Sequence, residues 1–248
     1  MIEYYDGTVF NTPAKTIVNT VNCAGVMGAG IALEFKLRYP EMYEDYVQKC
    51  KEKKMKVGIP RIYEYSDELW ILNFPTKGHW RFPSKIQWIE QGLKYFVENY
   101  KKRDIESIAF PKLGTNNGGL DWTEVKEVME KYLNDLDIKV YICLDEKQEA
   151  EGIEKLMIEK LNSILQEELI KKLKVPKKQV EIIFNNMPYS RLWHLSKLEG
   201  ITSKTYEKIF LYLYKETNEY ASNKNNSKID ESNNETEQLS LFYKDRDN

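Results

Sequence analysis

Cysteine and histidine are both scarce in this 248-residue chain, and each scarcity removes a class of chemistry. The three cysteines, Cys23, Cys50 and Cys143, form no CxxC pair and leave one over from any pairing. That excludes a disulfide scaffold and a four-thiolate zinc site. With only two histidines, His79 and His194, metal centres and Ser-His-Asp catalysis are poorly supplied. No run approaches the roughly 20 apolar residues of a membrane span. The opening Met1-Ile2-Glu3-Tyr4-Tyr5 shows neither the basic region nor the apolar stretch of a signal peptide. An excess of one charge is missing too. The formal net charge is -2, balanced in both halves, which excludes wholesale electrostatic wrapping of nucleic acid. Locally, acidic residues are absent between Leu69 and Ile89, where Lys77, His79, Arg81 and Lys85 alternate with Trp80 and Phe82. Such a cluster suits phosphate contact and base stacking. The 42% of hydrophobic residues suffices for a core and the 31% of charged ones for a soluble surface. A cytoplasmic protein without a membrane partner is expected.

Short β-rich runs alternate with helical patterns up to about residue 147. The strand runs are Thr16–Val21, then Arg61–Tyr65 and Leu69–Phe74 around a polar Ser66-Asp67-Glu68 turn, Ser107–Phe110 and Val140–Leu144. Helices are predicted from about Ile31 to Lys53, from Pro83-Ser84 to about Lys102, and from Trp122 to Leu133. This alternation implies an α/β domain over residues 1–149, with a largely parallel sheet covered on both faces. Beyond it, residues 150–217 carry apolar side chains at helical spacing, such as Ile153, Leu156, Ile158, Leu161, Ile164, Leu165 and Leu169, and read as a small all-α domain. Within it, Leu192 to Leu213 reads as two helices joined at Gly200-Ile201-Thr202, with Thr202 or Ser203 as N-cap. That shape fits a helix-turn-helix, although plain packing accounts for most such pairs. Residues 218–237 are rich in Asn, Ser, Glu and Lys, with Ile229 the lone large aliphatic residue. They read as a disordered linker.

Two loops carry the signs of an anion site. The first, Asn22-Cys23-Ala24-Gly25-Val26-Met27-Gly28-Ala29-Gly30-Ile31, leaves a strand and enters a helix. Such a loop sets backbone N–H groups and a helix N-terminus against an anionic ligand, and its glycines allow close approach. One loop of this kind is equally a tight turn without a ligand. A second, Pro111-Lys112-Leu113-Gly114-Thr115-Asn116-Asn117-Gly118-Gly119-Leu120-Asp121, again runs from strand to helix. Two such loops at the carboxyl ends of parallel strands face one crevice and fit a diphosphate. Neither holds the GKS or GKT of a P-loop and no acidic cluster invites Mg²⁺, so ATP hydrolysis is not expected. Cys23 has no histidine near it in sequence and reads as a small buried residue.

These two loops, together with Asn73-Phe74-Pro75-Thr76-Lys77-Gly78-His79-Trp80-Arg81, resemble the macrodomain family over nearly all of residues 1–145. The Phe-Pro-Thr-Lys block is similar to that of the DarG-type DNA ADP-ribosyl glycohydrolases, antitoxins paired with DarT toxins that attach ADP-ribose to bases in single-stranded DNA. The resemblance implies an ADP-ribose site and hydrolysis of ADP-ribose from a base, thymine above all, in an antitoxin or repair role. It implies that Asn22 holds the distal ribose and that Gly28, Ala29 and Gly30 line the catalytic loop, with Ile31 a further ligand contact. Lys112, Gly114, Thr115, Asn116, Asn117, Gly118, Gly119 and Leu120 would cradle the diphosphate and proximal side, and Thr76, Thr8 and Val9 complete the ligand contacts. Thr8 follows Gly7 where many members have Asp, so adenine recognition through that Asp does not carry over. Lys77 matches the lysine used at the anomeric carbon, and Asp121 matches an acid that moves protons there.

The residue types suit this chemistry independently. Cleavage at C1″ passes through a cationic sugar, beside which a neutral lysine can add covalently to the opened ribose while a carboxylate shuttles the proton. Burial and nearby Arg81 or Lys85 are expected to lower the Lys77 pKa. No cofactor or metal is called for. Against this stand plainer roles: Lys77 as a surface loop lysine, Asp121 as the cap of the next helix, and His79 packed on Trp80. His79, Trp80, Arg81 and Lys85 are the expected DNA contacts. Two other functions use the same pocket, removal of ADP-ribose from protein Asp/Glu esters and non-catalytic ADP-ribose reading. The resemblance to DarG-type antitoxins, whose C-terminal region binds the toxin, implies that residues 151–217 are where a DarT-type toxin would bind. Finally, Gln238-Leu239-Ser240-Leu241-Phe242 resembles the linear motif with which replication proteins bind the bacterial sliding clamp. In that reading Gln238, Leu239, Leu241 and Phe242 dock from a flexible tether.

Overall fold

The computed structural model describes residues 1–218. The chain divides into two compact units, Met1–Glu151 and Gly152–Asn248, the second described as far as residue 218.

The first unit is built on six strands: β1 (Ile2–Tyr5), β2 (Thr16–Asn22), β3 (Arg61–Glu64), β4 (Trp70–Lys77), β5 (Ser107–Pro111) and β6 (Lys139–Cys143). Their order across the sheet is β1-β6-β5-β2-β4-β3. Every neighbouring pair is parallel except β3 with β4, which run antiparallel across the Ser66-Asp67-Glu68 turn. Successive residues of the central strands face opposite sides, as the pleat requires. Val18, Leu72 and Ile108 enter one apolar cluster with Phe74, Ile89, Leu93, Val125 and Met129. Their neighbours Ile17, Ile71 and Ala109 enter the other, with Phe35, Met42 and Tyr46. Burial on both faces is why β2 reads as an unbroken apolar and small-polar run rather than an alternating one.

Four helices cover the two faces: α1 (Gly30–Arg38), α2 (Pro40–Lys51), α3 (Ile86–Asn99) and α4 (Trp122–Leu133). The single helix expected from Ile31 to Lys53 is therefore two. Pro40 is the cause: the residue before a proline is pushed out of the helical region, and Tyr39 sits at φ −132°, ψ 70° while Pro40 starts α2. The helix expected to reach Lys102 ends at Asn99, and a 3-10 turn, Lys101–Arg103, follows.

The second unit holds α5 (Gly152–Ser163), α6 (Gln166–Lys171), α7 (Lys177–Asn185) and helical residues 203–218, here α8. It has no strand among the described residues. Met157, Leu161, Leu169, Val180, Ile183, Leu195, Ile209 and Leu213 are among its buried side chains, whereas Leu165 is 70% exposed. Residues Leu192–Lys197 form a 3-10 turn, not an α-helix, so the first of the two helices expected there is absent. Only six residues are available there, and Gly200 turns the chain at φ +89°. Thr202 caps α8 as predicted, its Oγ1 accepting from the Thr205 N–H at 3.2 Å. Asn218, the first residue assigned to the linker, is helical. The rest of the linker and the Gln238–Phe242 motif lie outside the described residues. Among those residues, no helix is long and apolar enough to cross a membrane.

Candidate functional site

Because β2, β4 and β5 are parallel neighbours, the segments that follow them all leave one edge of the sheet. That edge is where open α/β sheets bind ligands. Asn22, the last residue of β2, is the register partner of Lys77, the last of β4, with a bulge between Val21 and Asn22. Lys77 is thus the end of a strand and not a surface loop residue. A bulge at such a place re-aims the side chains beyond it.

The first loop is organised by Asn22. Its Nδ2 donates to the Val26 carbonyl at 2.6 Å, and its Oδ1 accepts from the Ala24 N–H at 2.9 Å. Tyr46, on α2 and fully buried, donates to the Asn22 carbonyl at 2.8 Å and reaches Oδ1 at 3.2 Å. The Asn22 amide therefore shapes the loop, and the Val26 bond uses one of the two N–H groups of its Nδ2. Beyond it, Gly28, Ala29 and Gly30 are exposed and open α1, with Ile31 partly buried behind them. Ala29 is extended and makes no side-chain cap, and the first turn of α1 has no acid. The uncapped N–H groups of this turn present partial positive charge to an anion.

The second loop folds on itself. Thr115 Oγ1 donates to the Lys112 carbonyl at 3.1 Å, the Gly118 N–H to Thr115 at 3.0 Å and the Leu120 N–H to Gly114 at 3.1 Å. Asn116–Gly118 forms a 3-10 turn, between Gly114 at φ +65° and Gly119 at φ +77°. This turn reaches the other two segments. Lys77 Nζ donates to the Asn117 carbonyl at 2.6 Å. A Cβ placed on Gly30, whose φ is +58°, would stand 2.7 Å from Asn117 Nδ2. Lys77, Gly30 and Asn117 thus bring both glycine loops and the end of β4 to one point. Burial lowers the pKa of the Lys77 ammonium below the ordinary lysine value. Arg81 and Lys85, expected to help, do not contribute: their cations lie over indole rings, Arg81 at 4.6 Å from Trp80 and Lys85 at 5.0 Å from Trp88.

The other expected site residues differ in their surroundings. Asp121 caps α4, its Oδ1 accepting from the Thr123 and Glu124 N–H groups at 2.8 and 3.3 Å. Lys112 pairs with Glu146 at 2.7 Å and lies over the Trp122 ring. Thr76 is buried, with Oγ1 3.5 Å from the Val21 carbonyl. Thr8 and Val9 begin the 3-10 turn after β1, Val9 being 1% exposed and part of the core. His79 stacks on Trp80, ring centroids 5.5 Å apart, and Trp80 remains 46% exposed. Burial pushes the Cys23 thiol up to about 11, so it is protonated at neutral pH and is no nucleophile. Among the described residues, no three His, Cys, Asp or Glu side chains are grouped to hold a metal ion.

Tyr46 and Ser84 escaped the sequence reading. Tyr46 lies 24 positions from the Asn22 it holds. Ser84, 4% exposed, donates its N–H to the Gly118 carbonyl at 2.9 Å. A serine after a proline announces no such contact. Phe82, at 65% exposure the most open ring of its loop, was visible only as part of the acid-free cluster.

Comparison with known proteins bears on this geometry. The Macro domain family profile matches residues 18–129. A "DNA ADP-ribosyl glycohydrolase" of Thermus aquaticus is 40% identical over 148 residues, which are 57% of this chain and 41% of that protein. The chain thus spans less than half the length of this curated relative. The macrodomain of Mycobacterium tuberculosis DarG is 41% identical, with a TM-score of 0.56 over 58% of this chain and 97% of that one. Thermosipho africanus DarTG in complex with ADP-ribose is 37% identical, with a TM-score of 0.55 over 59% of this chain and 42% of that one. The sheet order, the two glycine loops and the match to nearly the whole of a DarG macrodomain agree: this chain belongs to the macrodomain family, in its DarG type.

Proposed function

We infer that this chain removes ADP-ribose from a base in single-stranded DNA, thymine being the first candidate, and restores the base without excising it. The observation that carries this reading is the Lys77 amine, held at the meeting of two glycine loops by a 2.6 Å bond to the Asn117 carbonyl. Support comes from relatives named for DNA ADP-ribosyl glycohydrolase activity and from a relative in complex with ADP-ribose. The diphosphate rests on the uncapped N-terminus of α1 and the turn at Asn116–Gly118. As the C1″–N bond breaks, its electron pair leaves with the base nitrogen, which takes up the proton that the Lys77 amine sheds on bonding to C1″. The Lys77 lone pair bonds to C1″, and water then hydrolyses that adduct to free ADP-ribose and return the amine. If Asp121 moves the proton, it uses Oδ2, because Oδ1 holds the start of α4. A role as antitoxin to a DarT-type toxin, cytoplasmic action, and clamp docking through Gln238–Phe242 belong to the same proposal.

The test measures ADP-ribose release from a modified single-stranded oligonucleotide beside an ADP-ribosyl-glutamate protein. Release from the DNA alone is expected. Release from the protein alone identifies an ester hydrolase, and tight ADP-ribose binding with no release identifies a reader.

Two further outcomes follow from the geometry. Gly30→Ala puts a methyl group against Asn117 and forces a left-handed φ on a residue with a Cβ, a strain of about 1–2 kcal/mol. Denaturation should show the first unit destabilised by about that amount. The pH dependence has a definite sign. The reacting form of Lys77 is the neutral amine, and burial lowers its pKa. Single-turnover rates should therefore rise with pH and level off below the ordinary lysine value of about 10.4. A rate that falls across that range contradicts the assignment.

A further inference from the structure

The segment 78–83 leaves the site at Lys77 and returns to it at Ser84, and both ends are tied to the same turn. Lys77 Nζ donates to the Asn117 carbonyl and the Ser84 N–H to the next one, that of Gly118. The Gly78 carbonyl accepts from the Cys23 N–H at 3.2 Å, which ties the segment to the first glycine loop as well. The loop is therefore fixed at the rim of the ADP-ribose site. Its tip is formed by large rings that this tethering leaves in solvent, Phe82 at 65% and Trp80 at 46% exposure. His79 braces both, its ring centroid 5.5 Å from that of Trp80 and 5.7 Å from that of Phe82. Arg81 spreads over the Trp80 face at 4.6 Å, and no acidic residue occurs from Leu69 to Ile89.

Exposed rings braced by His79, with a guanidinium over the Trp80 face that a base can replace and no acid in the loop's own sequence, match a single-stranded nucleic acid: unpaired bases stack on the rings and the cations meet phosphates. We propose that Trp80 and Phe82 form a stacking platform for the nucleotides next to the modified base, with Arg81 as the phosphate contact. On the reading of the site given above, this platform selects a strand over a lone modified nucleotide or a modified protein. Stacking tolerates any sequence, so the preference is for an unpaired strand and not for particular flanking bases.

Trp80→Ala, Phe82→Ala and the double variant test this in the full chain, with an ADP-ribosylated oligonucleotide and the ADP-ribosylated mononucleotide as substrates. For each ring removed, the ratio of kcat/KM on the oligonucleotide to that on the mononucleotide should fall roughly 5- to 150-fold. The loss should lie in KM, and fluorescence anisotropy should show weaker binding of an unmodified oligonucleotide. Equal losses on both substrates, or an unchanged ratio, overturn the platform. So does a loss confined to an ADP-ribosylated protein substrate, which makes the rings a protein contact. Failure of the wild type on every substrate overturns the glycohydrolase reading instead, and the anisotropy measurement still decides whether the loop binds a strand.

Discussion

Lys77→Ala is expected to lower single-turnover release of ADP-ribose from a modified oligonucleotide by about 10²–10⁴-fold, the range for loss of a positioned proton-transfer or nucleophilic group. ADP-ribose affinity should change by no more than a few-fold, because the groups assigned to the diphosphate are the N–H groups of α1 and the 116–118 turn. A hydrogen bond to the Asn117 carbonyl disappears with the lysine, but that carbonyl sits on an exposed residue and water replaces the donor. Lys77→Arg keeps the charge and the donor yet offers no neutral amine near pH 7. It should be as inactive as alanine, which separates a chemical role from mere charge. Calorimetry and rapid-quench kinetics on the same preparations provide both numbers. Full activity in both variants would remove Lys77 from the reaction.

The second large effect is on stability and belongs to the helical unit. Glu154, on α5, is 8% exposed and Arg191 5%. The guanidinium Nε donates to both carboxylate oxygens at 3.2 and 3.1 Å. The Leu192 N–H, at the start of the 3-10 turn, also donates to Glu154 Oε1 at 2.8 Å. Removing one partner of a buried ion pair typically costs about 3–5 kcal/mol. Glu154→Ala should destabilise the second unit by that amount, read as lost amide-exchange protection from 152 to 218 with protection retained in 1–151. Glu154→Gln, which keeps an acceptor for the Leu192 N–H, should lose less. Exchange unchanged by Glu154→Ala would show that the pair contributes little.

How far the sequence was legible depends on whether a feature is local. The helix Trp122–Leu133 was placed at its observed bounds, because a helical apolar period and an Asp cap lie within one short stretch. The two glycine loops were visible for the same reason, each being punctuated within a dozen residues. The break at Pro40 is also written locally, but the apolar period that continues on both sides of the proline masks it. What the sequence did not show is the apposition of distant segments. Lys77 and Asn117 stand 40 positions apart, and their contact exists because β4 and β5 flank β2 in a parallel sheet. Tyr46 and Ser84 are ordinary residues in sequence, and only the folded chain turns one into a brace for Asn22 and the other into a tether for Gly118. Asp121 carries both readings in sequence, helix cap and acid, and the hydrogen bonds of its Oδ1 serve the cap.

The central claim is that this site breaks the bond between ADP-ribose and a DNA base and leaves the base whole. Mass spectrometry of a thymine-modified single-stranded oligonucleotide after incubation with the full chain tests it most directly. The account predicts an oligonucleotide lighter by one ADP-ribosyl unit, with its thymine restored, and free ADP-ribose in equal amount. An oligonucleotide of unchanged mass, in the presence of a chain that binds ADP-ribose, would contradict it, as would one that has lost the base together with the modification.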